Sequence, residues 1–311
     1  MPELPEVETI ARGLDKRIAG DIIESVWIGE KPQVLKSSAL EIAAVLEHSR
    51  ILRVRRAGKH IVFDLESSNG PRLASKSGTR TWGNNTEVSK SAKTTGAPGL
   101  ANSETRERAQ WIVHLGMTGQ LLIGPPEAPM LKHTHAVVKL ASGRELRFVD
   151  VRRFGKLSVV RIGPDQEKGF GAPGLEPLEI DLEHFIPLFH GRKTPIKSAL
   201  LNQKLLSGVG NIYADESLFR AKVRPRRRAA SLTRSELAKL HRGLQQVLRH
   251  AIKLGGSSVS DYVDADGREG FFQLKHRVYG RKGKPCLVCG TPIKRVIIAG
   301  RSSHYCPHCQ K

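Results

Sequence analysis

Residues Met1-Pro2-Glu3-Leu4-Pro5-Glu6-Val7-Glu8-Thr9-Ile10-Ala11 open the chain, and the reading of the remainder hangs on them. Leu4, Val7, Ile10, Ala11, Leu14 and Ile18 recur at helical spacing, with Glu6 and Glu8 placed where the positive end of a helix dipole favours carboxylates. The spacing predicts a helix starting almost at residue 3. Outward from it, as far as Ile162, the pattern changes to short β-rich runs: Ile22–Ile28, Ile51–Val54, Ile61–Leu65, Trp111–Leu115, Gln120–Ile123, Ala136–Leu140, Glu145–Val149 and Leu157–Ile162. Ser142-Gly143, between two of these runs, is a hairpin signal, and so many short strands predict an antiparallel sandwich or barrel. Between Ser67 and Gln110 the sequence turns polar and repetitive without a sustained period, as expected of a disordered loop insertion carrying Lys76, Arg80, Lys90 and Lys93.

The second half differs in kind. Leu182–Phe189, Ile196–Leu206, Ile212–Ala221 and Leu237–Leu254 carry helical periodicity, and Thr233 with Glu236 reads as a capping box for the last of them. Ser257 to Lys284 reads as loop. The expected class is α+β and multidomain: a catalytic domain over 1–165 with the insertion 67–110, a helical domain over 175–275, and a cysteine-bearing module over 276–311.

Across 311 residues, 51 Lys and Arg stand against 30 Asp and Glu, a net charge of +21, with 39% hydrophobic residues. Such a chain builds real cores, so its charge belongs to a folded surface and implies a polyanionic partner. No apolar run approaches the roughly 20 residues that cross a bilayer. The acidic, proline-punctuated N-terminus lacks the basic-then-apolar pattern of a secretory signal, so a cytoplasmic protein with no membrane partner is expected.

The four cysteines are Cys286-x-x-Cys289, sixteen intervening residues, then Cys306-x-x-Cys309. In this spacing two tight turns each offer two thiolates to one tetrahedral zinc ion. His304 and His308 are read as surface residues. Ile293 to Ile298 followed by Ala299-Gly300-Arg301 predicts a β-hairpin between the pairs, and the surrounding Arg281, Lys282, Lys284, Lys294, Arg295 and Arg301 suit phosphates.

Chemistry concentrates at Pro2. Once Met1 is removed, its nitrogen is a free secondary amine, and α-amino groups, with pKa values near 7.7–8.0, are partly neutral at cellular pH. Attack on a sugar C1′ gives a cationic iminium, for which Glu3 is a candidate general acid and base. Taken alone, both residues are also ordinary choices at a helix start.

Five segments together carry more. Residues 1–9, His114-Leu115-Gly116-Met117-Thr118-Gly119, Asp150-Val151-Arg152-Arg153-Phe154-Gly155, Gly208-Val209-Gly210-Asn211-Ile212-Tyr213-Ala214 and Val278-Tyr279-Gly280-Arg281-Lys282-Gly283 resemble bacterial formamidopyrimidine-DNA glycosylases from end to end, with the insertion foreign to the family. The resemblance implies an N-terminal helix plus β-sandwich, a helix–two-turn–helix domain and a zinc finger. It also implies excision of 8-oxoguanine and ring-opened purines from duplex DNA, followed by β,δ-elimination. By the same resemblance Pro2 is the Schiff-base nucleophile, Glu3 the proton donor, Lys59 an aid to β-elimination, Arg301 an aid to δ-elimination, and Glu6 a further active-site carboxylate.

An extruded base leaves a gap, and Met117, Arg152 and Phe154 match the wedge that fills it. His135, Arg153, Arg192, Lys197 and Asn211, together with Arg152, are implied DNA contacts. Residues 257–272 correspond to the loop that covers the extruded base. Two alternatives stay open: the sister endonuclease VIII type, which prefers oxidised pyrimidines, and a non-catalytic zinc-stabilised binder of damaged DNA. A monomer suits one-sided engagement of a damaged strand.

Overall fold

Pro5 stands in the first turn of helix α1 (Leu4–Ile18), where its missing N–H costs nothing, and the helix buries Leu4, Val7, Ile10, Ala11, Leu14 and Ile18, the stripe its spacing predicts. The computed structural model describes residues 1–67, 107–163, 169–259 and 261–311. Residues 68–106, which include most of the expected insertion with Lys76, Arg80, Lys90 and Lys93, lie outside the described residues.

Eight strands follow α1: β1 (Ile23–Ile28), β2 (Ser49–Ala57), β3 (His60–Ser67), β4 (Arg108–His114), β5 (Gln120–Gly124), β6 (Thr134–Leu140), β7 (Glu145–Val149) and β8 (Lys156–Ile162). They form two antiparallel four-stranded sheets, in the orders β1-β6-β7-β5 and β2-β3-β4-β8, the sandwich that the run of short strands predicts. Phe63 faces Trp111 across β3 and β4, their ring centroids 4.6 Å apart, in a core shared with α1 and Phe148. β3 runs to Ser67 and β4 begins at Arg108, so both ends of the expected 67–110 insertion belong to strands. A short helix the periodicity does not announce, α2 (Ala39–Leu46), starts at Ser38, whose Oγ accepts the Glu41 N–H at 3.1 Å.

The helical half comprises α3 (Leu182–Phe185), continued by a 3-10 turn at Ile186–Phe189, then α4 (Ile196–Leu200), α5 (Asn211–Arg220) and α6 (Arg234–Lys253). The capping box forms as expected: Thr233 N–H donates to Glu236 and Glu236 N–H to Thr233, at 2.9 and 3.2 Å. The helix expected over Ile196–Leu206 stops at Leu200, because the Asn202 side chain takes the Lys204 N–H at 3.0 Å and turns the chain. Phe185, Phe189, Leu200, Tyr213, Leu240 and Leu248 form the second core. Leu4 belongs to that second core, whereas the other buried apolar residues of α1 belong to the first.

The segment after α6 crosses back. Tyr262 and Ala265 insert into the sandwich core, the Ala265 carbonyl accepting the Ile123 N–H at 2.9 Å, before a 3-10 turn at Phe272–Lys275. The chain closes on the hairpin β9 (Lys294–Ile298) and β10 (Arg301–Tyr305), its turn built on Ala299 and Gly300 with φ of 46° and 73°. Among the described residues no helix is long and apolar enough to cross a membrane.

Candidate active site and nucleic-acid interface

Four of the residues picked out from the sequence share one electrostatic neighbourhood. Glu3, at the start of α1, is 5% exposed, and its carboxylate accepts the N–H groups of Ile212 and Tyr213 in the first turn of α5 at 3.2 and 3.5 Å. Burial raises its pKa to about 7 against the attraction of Lys59. Lys59 sits in the turn joining β2 to β3, after Gly58 at φ 61°. Burial lowers its pKa, with the Arg301 charge acting in the same direction and Glu3 opposing. Glu6 is enclosed: it accepts the Tyr213 hydroxyl, the Ser257 N–H at 2.8 Å and the Glu3 N–H at 2.8 Å, and burial raises its pKa.

Pro2 is buried beside this cluster, against a cavity of about 30 Å³ lined by Pro2, Glu6, Met117, Ile212, Ser257 and Tyr262, with Met1 and Val259 at its rim. That is about the room of one water. While Met1 is attached, the Pro2 nitrogen is an amide and not a nucleophile. Loss of Met1 both frees the amine and clears part of the cavity. The rings of His60 and His114, 4.8 Å apart, flank Lys59, and burial together with that neighbouring positive charge pushes the His114 pKa down to about 4.

Met117 and Phe154 are 39% and 51% exposed, unusual for such side chains, and the Arg152 guanidinium lies 4.9 Å from the Phe154 ring centroid. Asp150, to which the sequence reading gives no role, holds their two loops together. Its carboxylate accepts Thr118 Oγ1 at 2.5 Å, Arg152 N–H at 3.2 Å and Gly155 N–H at 2.7 Å. Arg153 is exposed with φ 58°, and Arg192 is exposed with Nε donating to the Leu188 carbonyl at 2.6 Å. Asn211 opens α5, half-buried, with Nδ2 donating to Ser302 Oγ at 3.3 Å.

Three expectations need correction. Lys197 is no surface phosphate ligand: it is fully enclosed, its Nζ 2.7 Å from Asp215 Oδ1 and donating to the Ser302 carbonyl at 2.6 Å. His135 is likewise buried, its Nε2 2.9 Å from the Asp150 carbonyl, so it supports the loop that carries Arg152 and Phe154 from beneath. His304 is buried against Asp215, and only His308 lies at the surface. An isolated basic residue carries no sequence signal for which way it faces. Only the partners, Asp215 and Asp150, reveal it.

The four cysteine Sγ atoms all lie within 4.8 Å of one another, with Cys286–Cys309 at 3.9 Å, Cys289–Cys306 at 3.5 Å and Cys289–Cys309 at 3.4 Å. A tetrahedral zinc with bonds near 2.3 Å needs sulfurs about 3.8 Å apart, so the cluster fits the ion. Backbone N–H groups of Val288 and Cys309 point at Cys286 and Cys306 sulfurs, at 3.5 and 3.3 Å, a hydrogen-bonding surround suited to thiolates.

Comparison with known proteins matches each part of this arrangement. The formamidopyrimidine-DNA glycosylase N-terminal domain family matches residues 1–157, the H2TH domain family of the same glycosylases residues 174–263, and the zinc finger found in FPG and IleRS residues 283–311. The chain is 41% identical to the formamidopyrimidine-DNA glycosylase of Solibacter usitatus and 38% identical to that of Desulforamulus reducens, covering all of this chain and 100% and 99% of those proteins. Among solved structures, the MutM (Fpg) protein from Thermus thermophilus aligns with TM-score 0.75 at 38% identity, covering 99% of this chain and 98% of that one. A Lactococcus lactis Fpg mutant in complex with DNA containing Fapy-dG aligns with TM-score 0.77 at 30% identity, covering both chains in full. With its sandwich, helical domain and cysteine hairpin all matched along the length of the chain, this protein belongs to the formamidopyrimidine-DNA glycosylase family.

Proposed function

We propose that the chain is a base-excision repair glycosylase for oxidised purines in duplex DNA, 8-oxoguanine and formamidopyrimidines, and an abasic-site lyase. The observation that carries the reading is Glu3. A carboxyl group with a pKa near 7, beside Pro2 and within the field of Lys59, can both give and take a proton at neutral pH.

Pro2, freed of Met1, attacks C1′ as the glycosidic bond breaks, and Glu3 protonates the ring oxygen as the C1′–O4′ bond opens to the iminium. Loss of a C2′ proton then expels the 3′ phosphate, with Lys59 beside it. A second elimination expels the 5′ phosphate against Arg301. Met117, Arg152 and Phe154 fill the gap left by the extruded base. Arg153, Arg192 and Asn211 face the DNA backbone, while Lys197 and His135 support the contacts from within.

In this reading the functional units are 1–165, 175–275 and 276–311. One structural zinc, held by Cys286, Cys289, Cys306 and Cys309, fixes the fold of the finger, whose hairpin presents Arg301. The enzyme works on DNA in the cytoplasm as a monomer.

Borohydride trapping tests the whole reading, with one duplex carrying 8-oxoguanine opposite cytosine and another carrying an oxidised pyrimidine. A covalent adduct at Pro2, strongest on the purine duplex, is expected. Adduct on the pyrimidine duplex alone makes the protein an endonuclease VIII type, and binding without adduct on either makes it a non-catalytic binder.

A further inference from the structure

The zinc module is fastened to the helical domain by two consecutive acidic residues of α5. Glu216, 3% exposed, accepts the N–H groups of Arg277, Val278 and Tyr279 at 2.8–3.1 Å, at the module's entry. Asp215, 1% exposed, reaches the hairpin itself. One carboxylate oxygen pairs with Lys197 at 2.7 Å; the other accepts the backbone N–H of His304 at 2.8 Å and lies 3.3 Å from its ring Nδ1. Lys197 in turn donates to the carbonyl of Ser302, the residue after Arg301. Apart from the Asp215–Lys197 pair itself, these contacts close on β10, on the residues that follow the exposed Arg301.

An ion pair this deeply buried adds little net stability, because desolvating both partners offsets their attraction. What it does supply is a fixed position. Lys197 also lies within the field of Arg301, and both are cations. Without Asp215 the buried ammonium stands unpaired behind the guanidinium and repels it.

We propose that Asp215 is the positioning residue for Arg301: through Lys197 and His304 it holds the hairpin tip in register with the active site and so governs the second elimination, not base release. This rests on the assignment of Arg301 to that elimination. The zinc ion folds the finger, and Asp215 aims it.

The test follows the ends left on a duplex with a preformed abasic site, as the proportion of 3′-unsaturated aldehyde, from β-elimination alone, to 3′-phosphate, from β,δ-elimination. Asp215→Asn is expected to raise the β-only proportion at least about fivefold, with zinc content as in the wild type and the borohydride adduct at Pro2 within about twofold. His304→Phe, which keeps the backbone N–H but removes the ring contact, is expected to shift the proportion the same way by less. Should Asp215→Asn fail to accumulate folded, His304→Phe decides alone. A wild-type proportion in the deciding variant, or a shift accompanied by zinc loss, overturns the inference. Arg301→Ala separates the two levels: if it leaves the proportion unchanged, the assignment of Arg301 fails and takes the inference with it. If Arg301→Ala shifts the proportion and Asp215→Asn does not, only the inference fails.

Discussion

The Glu3 carboxyl occupies the space that a side chain on Gly210 would need: a β-carbon there would stand 2.1 Å from Glu3 Cδ. The glycine before α5 thus serves the proposed proton donor directly, by letting it reach the helix's first N–H groups. Gly210→Ala is expected to slow base excision by about a hundredfold, the scale of a lost general acid, while zinc content stays unchanged. Single-turnover rates on 8-oxoguanine duplex measure it.

In the proposed mechanism Glu3 acts first as an acid, so excision needs its protonated form and is expected to fall as pH rises through about 7. Glu3→Gln should remove that limb of the profile together with most of the activity. The same group has a stability signature. Its folded pKa is raised from 4.5 to about 7, so between those values the folded state holds more protons than the unfolded, and stability falls as pH rises. The loss is on the order of 3 kcal/mol. Denaturant melts of wild type and Glu3→Gln should therefore diverge in favour of the variant as pH rises across that window. Parallel curves would falsify the raised pKa.

Pro2→Gly is expected to lose at least about tenfold in base excision while keeping its affinity for lesion-bearing duplex, since a primary amine replaces the secondary one and the binding surfaces are untouched. Unchanged excision would remove Pro2 from the mechanism.

Cys306→Ser should release zinc and loosen the hairpin, weakening DNA binding and flattening its salt dependence as phosphate contacts are lost. Zinc content and binding across a salt series check both halves. A variant that keeps its metal and its affinity would contradict the four-thiolate site.

Arg56, its side chain 6% exposed, pairs with Glu8 of α1 at 2.7 Å and with Glu176, on the link to the helical half, at 2.8 Å. Arg56→Met leaves two partly buried carboxylates facing each other. The expected cost is about 2 kcal/mol, below the roughly 3–5 of a fully enclosed pair because Glu176 keeps some water. Thermal or denaturant unfolding reads it directly.

Periodicity made the fold legible where an element buries one clean face. The stripe of α1, the eight short β-rich runs and the capping box of α6 all read through. Helix α2 did not, because its eight residues form barely two turns and are held by packing on β1 and β8, leaving only Ser38 and Glu41 as a local sign. The residues proposed as reactive stand out through the company they keep in short segments. Their supports do not: Asp150, Asp215 and Glu216 carry no motif of their own, and the helical pair finds its partners in the zinc module some sixty to ninety positions away. The directions of Lys197 and His135 were illegible for the same reason.

Leu4 packs in the helical core while Val7, one turn on, packs in the sandwich core, so α1 spans the seam between the halves with Pro2 and Glu3 at its tip. During synthesis the first half emerges alone, and it then lacks α5, whose N–H groups hold the Glu3 carboxyl, and Ser257, which holds Glu6. The amine and its acid are assembled only by the last helices to leave the ribosome. An unfinished chain therefore lacks the enclosure of Glu3 and Glu6, which forms only once the helical half has folded against α1.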